Sequence, residues 1–222
     1  MKLDFSSVWQ YWPFLYHGAL TTLKITAMAA VLGFILGVLL SLIKISKCKP
    51  LVWFGNFYTS IFRGTPLLVQ LCIVHFGLPQ LTGMTLTTMQ SGVLTFSLNS
   101  AAYISEIFRG GINAIDRGQY EAAMSLGVGY RDMMKDIILP QAVKHILPSL
   151  VNEAISLLKE SSILSYIGAV ELLRAADQIT VLTFRFFEPY LVIAVIYYVL
   201  VMLLSMVASW IERWVNRSDR VS

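Results

Sequence analysis

Apolar residues gather into long stretches along this chain, and polar residues interrupt them only at wide intervals. The first stretch, 18–43, is long enough at roughly 1.5 Å per residue to cross a bilayer with some tilt. Gly33 and Gly37 sit four apart within it, forming a small-residue face where another helix can approach closely. Lys24 lies near its start, where a long side chain reaches the headgroups. Trp9, Tyr11, Trp12, Phe14 and Tyr16 precede it as an interfacial aromatic belt. The second stretch, 52–78, reads as a broken span. Val52 to Phe62 supplies one part, Pro66 opens the other at its first turn, and Pro79 is expected to end it. Three more stretches follow at 89–108, 142–158 and 189–210, the last almost wholly Val, Ile, Leu, Tyr and Met. The pattern predicts an all-α membrane protein, one domain over 1–222 with five transmembrane helices. Residues 164–188 contain Glu171, Arg174 and Asp177 and are too polar to cross; a short re-entrant helix followed by an external loop is expected there.

Composition strengthens this picture. The chain is 56% hydrophobic and only 14% charged, against about 25% charged in soluble domains, and its mean hydropathy is +0.67. Too little charge is present to cover a water-facing surface. The net charge of +4 raises the question of nucleic acid, but the placement of the basic residues answers it. Lys44, Lys47, Lys49 and Arg63 follow the first stretch, Arg109, Arg117, Arg131 and Lys135 follow the third, and Arg213, Arg217 and Arg220 follow the fifth. No Lys or Arg lies between Arg63 and Arg109, and only Lys159, Arg174 and Arg185 separate the last two stretches. Positive charge collects on the cytoplasmic side, so the N-terminus is expected outside and the C-terminus inside, which requires an odd number of spans. The lipid bilayer, and no nucleic acid, is the expected surrounding.

The loop 109–141 between the third and fourth stretches is long for a simple connection. Gln119 to Leu126 favours helix, Gly127 and Gly129 supply a turn, and Arg131 to Leu139 forms a second amphipathic piece expected to end at Pro140. Two short helices joined by a glycine turn make a cytoplasmic knob, and the small Ala122 and Ala123 would let it enter a groove on a partner. Glu121, Ala122, Ala123, Gly127, Ile137, Leu139 and Pro140 resemble, in type and spacing, the signature loop of bacterial binding-protein-dependent ABC importer permeases. Arg63-Gly64-Thr65-Pro66, Asn99-Ser100-Ala101-Ala102-Tyr103 and Lys159-Glu160-Ser161-Ser162 resemble the polar amino-acid branch of that family. The resemblance implies the type I ABC importer permease fold in the bacterial cytoplasmic (inner) membrane. It implies a second permease subunit, identical or homologous, two ATPase subunits at the cytoplasmic face, and an extracytoplasmic amino-acid-binding protein. The knob is then the coupling helix that docks on the ATPase, and ATP and magnesium belong to that partner.

Amide and ionisable groups inside a membrane are costly and are candidates for function. Asn99, Tyr103 and Glu106 share one helical face; Ser149, Glu153, Ser156 and Glu160 share another, with Asn152 beside it. The functional reading is a pocket for a zwitterion built from Asn99, Tyr103, Asn152, Glu153, Ser156 and Glu160, with Glu153 as counter-charge for an ammonium group. For Asn99, Ser149 and Ser156 the reading as interhelical glue stands level with it. An acid at Glu153 resembles the relatives that carry cationic amino acids. The alternative function is a proton-coupled secondary transporter using Glu153 and Glu160, although no internal repeat of the kind such carriers show is evident.

Other features point to no chemistry. The chain carries no G-x-x-x-x-G-K-[ST] motif and no nucleophile–base pair, so neither ATP hydrolysis nor other enzyme activity is expected in it, and no cofactor. His17, His75 and His145 lack metal-ligand spacing, Cys48 and Cys72 read as free thiols, and Met1 to Gln10 does not have the make-up of a cleaved signal peptide. Asn216-Arg217-Ser218 matches a glycosylation sequon but falls in the expected cytoplasmic tail.

Overall fold

The computed structural model describes residues 3–215; Arg217, Arg220 and the Asn216 sequon lie outside them. After a single turn at Ser6–Trp9, the longer helices among the described residues are α1 Trp12–Lys44, α2 Lys49–Gly64, α3 Leu67–Thr82, α4 Thr88–Asn113, α5 Arg117–Ser125, α6 Leu139–Glu160, α7 Leu172–Thr183 and α8 Phe187–Val215. No strand occurs among the described residues.

α1 and α8 are long and apolar enough to cross a membrane unaided, and the α2–α3 pair reaches that standard only if taken together. α1 is apolar all round: one side packs on the protein and the other is exposed, as suits a helix long and apolar enough to cross a membrane. Its buried line runs through Gly18, Thr22, Ile25, Ala29, Gly33, Gly37 and Leu40. A Cβ on Gly33 would stand 2.9 Å from the Ser100 Cβ, and one on Gly37 would stand 2.6 Å from Ile104 Cγ2. α1 and α4 therefore approach at a distance that only glycine permits.

α2 and α3 meet at an angle of 105°. Thr65 and Pro66 are extended at the break, as expected when a proline removes an N–H and drives its predecessor out of helical geometry. Pro66 thus stands just before α3 rather than in its first turn. Pro79 does not end α3: the helix widens into a π-turn at Ile73–Gly77, passes Pro79 and stops at Gly83, whose φ is +72°. The widened turn gives the proline ring room that a regular α-helix would not. Pro140 repeats this behaviour. The helix beginning at Tyr130 passes through a π-turn at Met133–Ile138 and continues as α6, with Pro140 in its first turn. The expected stop at Pro140 is therefore a continuation, and the knob is rigidly joined to α6.

α4 starts at a capping box: Thr87 Oγ1 accepts from the Gln90 N–H at 3.2 Å, and Gln90 Oε1 accepts from the Thr87 N–H at 2.9 Å. Residues 161–167 form a 3₁₀ turn, and α7 follows, capped by Glu171, whose carboxylate accepts from the N–H groups of Leu173 and Arg174 at 2.8 Å each and from the Tyr197 hydroxyl at 3.1 Å. Three apolar clusters hold these elements: one joins α1, α3, α4, α6 and the 3₁₀ turn, one joins the first turn, α1, α7 and α8, and one joins the end of α4 to α5 and the start of α6.

Candidate functional site

The polar residues of the central helices separate into two groups, because neighbouring positions on a helix point about 100° apart. Asn99 faces the bend between α2 and α3. Its Nδ2 donates to the Phe62 carbonyl at 3.1 Å and to Gln70 Oε1 at 3.0 Å. Gln70 Nε2 in turn donates to the Phe62 carbonyl at 2.9 Å, to the Thr65 carbonyl at 3.1 Å and to Thr65 Oγ1 at 2.9 Å. These two amides satisfy carbonyls that the broken helix leaves orphaned. Both protons of the Asn99 amide are thereby used within the chain, and only its oxygen is left for a ligand.

Tyr103 lies on the same side, 37% exposed, with the Arg63 guanidinium 5.4 Å from its ring centroid. Glu106 completes this face and is held by three cations: Lys44, Arg109 at 2.6 Å and Arg63 at 3.7 Å. Lys44 also donates to Thr59 Oγ1 at 3.3 Å.

Ser100, one residue on from Asn99, faces α6. Its hydroxyl donates to Glu153 Oε1 at 2.7 Å. No Lys or Arg pairs with Glu153 among the described residues. Ser149, Glu153, Ser156 and Glu160 are half-buried, and Asn152 and Lys159 are exposed. Glu153 and Glu160, two turns apart, stand about 10 Å from one another along α6. The structure joins Glu153 to Ser100 and Asn99 to Gln70, and it does not bring Asn99 and Glu153 together by any hydrogen bond.

The sequence pattern alone does not single out two of these partners, Ser100 and Gln70. Ser100 was visible as part of the Asn99-to-Tyr103 run, and Gln70 as a lone amide in an apolar segment, which is the signal that should have marked it. What pairs each of them is a matter of three-dimensional placement.

On the knob, Glu121 and Ala122 of α5 are exposed, while Ala123 is buried among Met133, Ile138, Ala142 and Ile146 of its own chain. Ala122 alone of the two alanines is free for a partner; Ala123 lets α5 lie close to the start of α6. Gly127 adopts φ +72° and ends α5, with the Val128 N–H donating to the Ala123 carbonyl at 3.0 Å. Leu139 and Pro140 are exposed and Ile137 is half-buried.

Residues 29–218 match the family model described as binding-protein-dependent transport system inner membrane component. The chain belongs to that family. It is the permease subunit of an ABC importer and not itself an enzyme, since ATP hydrolysis resides in a separate subunit. The permease is 51% identical over 219 residues to the arginine transport system permease protein ArtQ of Bacillus subtilis (strain 168), covering 99% of this chain and 100% of that one. It is 49% identical over 200 residues to the putative glutamine transport system permease protein GlnP of Rickettsia felis, covering 90% and 92%. Among solved structures, an amino acid ABC transporter crystallised with histidines has a chain that superposes with a TM-score of 0.91 at 45% identity, covering 96% of this permease and 99% of that chain. The methionine transporter MetNI superposes at 0.74 with 21% identity over 91% of this permease and 96% of its own chain, and shows the shared fold.

Proposed function

We propose that this permease passes a cationic amino acid across the membrane, with Glu153 as the group that reads the substrate's positive charge. The observation that carries the reading is the Glu153 carboxylate: it lies half-buried between α4 and α6, positioned by one hydroxyl and paired with no cation of the described chain. A carboxylate set in a membrane protein without a partner costs several kcal/mol in order of magnitude unless a ligand supplies the charge. The name of the Bacillus subtilis relative, an arginine permease, agrees with this chemistry. Asn152 and Ser156 flank Glu153 on α6 and would hydrogen-bond the substrate, and Glu160 would meet it two turns further out, while Asn99 and Tyr103 stand on the neighbouring face of α4, toward the bend.

The chain crosses the membrane five times, through α1, the bent α2–α3 pair, α4, α6 and α8, with its N-terminus outside and its C-terminus inside. α4 and α6 are too polar to count as spans by composition, and this follows from their carrying the site. The turn after α1, the knob and the tail then all lie in the cytoplasm, where their basic residues belong. Two permease chains, identical or homologous, line one path; two ATPases dock at Glu121, Ala122, Gly127, Ile137, Leu139 and Pro140; an extracytoplasmic binding protein delivers the substrate. ATP and magnesium act on the ATPases. Because the knob continues into α6, a movement of the ATPase is transmitted to Glu153 through one continuous helix.

The test is uptake into vesicles reconstituted with the ATPase and binding protein. Glu153→Gln is expected to lower uptake of arginine, lysine or histidine by about tenfold or more and to leave basal ATP hydrolysis in place. Undiminished cationic uptake by this variant would sink the reading. Uptake that collapses with an uncoupler at constant ATP would favour the proton-coupled alternative through Glu153 and Glu160.

A further inference from the structure

A cavity of about 190 Å³ lies where the end of α1, the N-terminal half of α2 and the end of α4 meet. Its polar lining is Ser41, Lys44, Asn56, Ser105 and Arg109. The charge around it is unbalanced. Lys44, Arg63 and Arg109 converge on the single carboxylate of Glu106, leaving two positive charges in surplus. No Asp or Glu occurs between Asp4 and Glu106, so α1 and α2 bring cations to this corner and no acid. Lys47 in the connecting turn and Lys49 at the start of α2 are exposed and make no ion pair among the described residues. The Asn56 side-chain amide lines the cavity and makes no hydrogen bond among them either.

A ligand for this corner must present anionic oxygens to an ammonium, a guanidinium and an amide. It must also tolerate an apolar border, since Ile45, Leu51, Trp53 and Phe54 are exposed on the same stretch of chain. The corner stands where the apolar length of α1 gives way to Lys44, which is the level of the headgroups. We propose that the cavity binds the phosphate of an anionic phospholipid, with Lys44, Arg109 and Asn56 on the phosphate oxygens and the acyl chains leaving beside Ile45 and Trp53. Glu106 orients Lys44 and Arg109 without cancelling them, and the bound headgroup fastens α2 to α1 and α4 at the foot of the bend. The site needs only that α1 ends at a membrane surface; it does not depend on which amino acid is carried.

The experiment uses the delipidated permease–ATPase complex in detergent, with retained lipid counted by native mass spectrometry and thermal unfolding followed during titration. The probes are phosphatidylglycerol, phosphatidylcholine and inorganic phosphate. Phosphatidylglycerol is expected to bind one molecule per permease chain and to raise the Tm at lower concentration than phosphatidylcholine. Arg109→Gln removes a cation, and Asn56→Glu places a carboxylate in the cavity while leaving the Glu106 cluster intact. Each is expected to weaken phosphatidylglycerol about fivefold, the effect of one charge near an anionic lipid. Lys24→Gln, about 30 Å from Lys44 along α1, leaves the affinity unchanged. Equal retention of the two lipids, or wild-type affinity in both cavity variants, would overturn the proposal. Inorganic phosphate that shifts the Tm by itself at the same midpoint would overturn the lipid as the source and leave a site for the free anion.

Discussion

Ser100 Oγ and Glu153 Oε1 stand 2.7 Å apart, and this hydrogen bond ties the registers of α4 and α6 together at the centre of the molecule. Gly33 of α1 backs Ser100 so closely that a Cβ there would lie 2.9 Å from the serine Cβ. The serine is held from behind while it holds the glutamate in front.

That arrangement fixes the orientation of Glu153, so in the proposed site Ser100 would act as a positioning residue. A hydrogen bond to a charged group contributes about 1.5–3 kcal/mol. Ser100→Ala is therefore expected to lower kcat/KM for cationic substrate uptake by about tenfold or more, with basal ATP hydrolysis unchanged. Transport kinetics in vesicles check this; wild-type kinetics would show that Glu153 needs no fixed orientation.

Gln70→Ala addresses the bend. The substitution takes the side-chain donor from the Thr65 carbonyl and the acceptor from Asn99, and leaves the Phe62 carbonyl with Asn99 as its remaining side-chain donor. The buried Asn99 N–H left without its acceptor costs about 1–3 kcal/mol. A clear fall in Tm and faster proteolysis near Thr65 are expected in detergent-solubilised protein. An unchanged Tm would mean that water reaches these groups.

Gly37→Val tests the close approach of α1 and α4. The new Cβ would meet Ile104 Cγ2 at 2.6 Å and Ile104 Cβ at 2.7 Å, atoms near the root of a β-branched side chain that cannot swing aside. Overpacking of this kind costs about 1–3 kcal/mol, read as a lowered unfolding temperature and reduced membrane yield.

Glu121→Arg concerns the partner and not the fold. Glu121 is exposed on α5, and its side chain makes no hydrogen bond or ion pair among the described residues. The variant is expected to keep the Tm of the permease while losing co-purified ATPase or its stimulation by substrate. Pull-down followed by ATPase assay decides; full coupling in the variant would remove Glu121 from the docking surface.

Periodicity and composition by themselves determined a great deal here. A long, mostly apolar run such as 18–43 has one stable use, and the basic residues that flank the runs, with the spacing of Glu121, Gly127 and Pro140 in the loop, carried the family into view. Such features are local: each depends on which residues follow one another along the chain. Only the tertiary structure decided that Asn99 serves the bend while Ser100 serves Glu153, since one step along a helix turns a side chain toward a different neighbour. It also decided that Pro79 and Pro140 lie inside helices, because a π-turn absorbs a proline when the packing around it keeps the helix going. Three cations met at Glu106 from α1, α2 and α4 for the same reason. Pairings between distant segments are set by how the helices dock, and no pattern within a single helix contains that information.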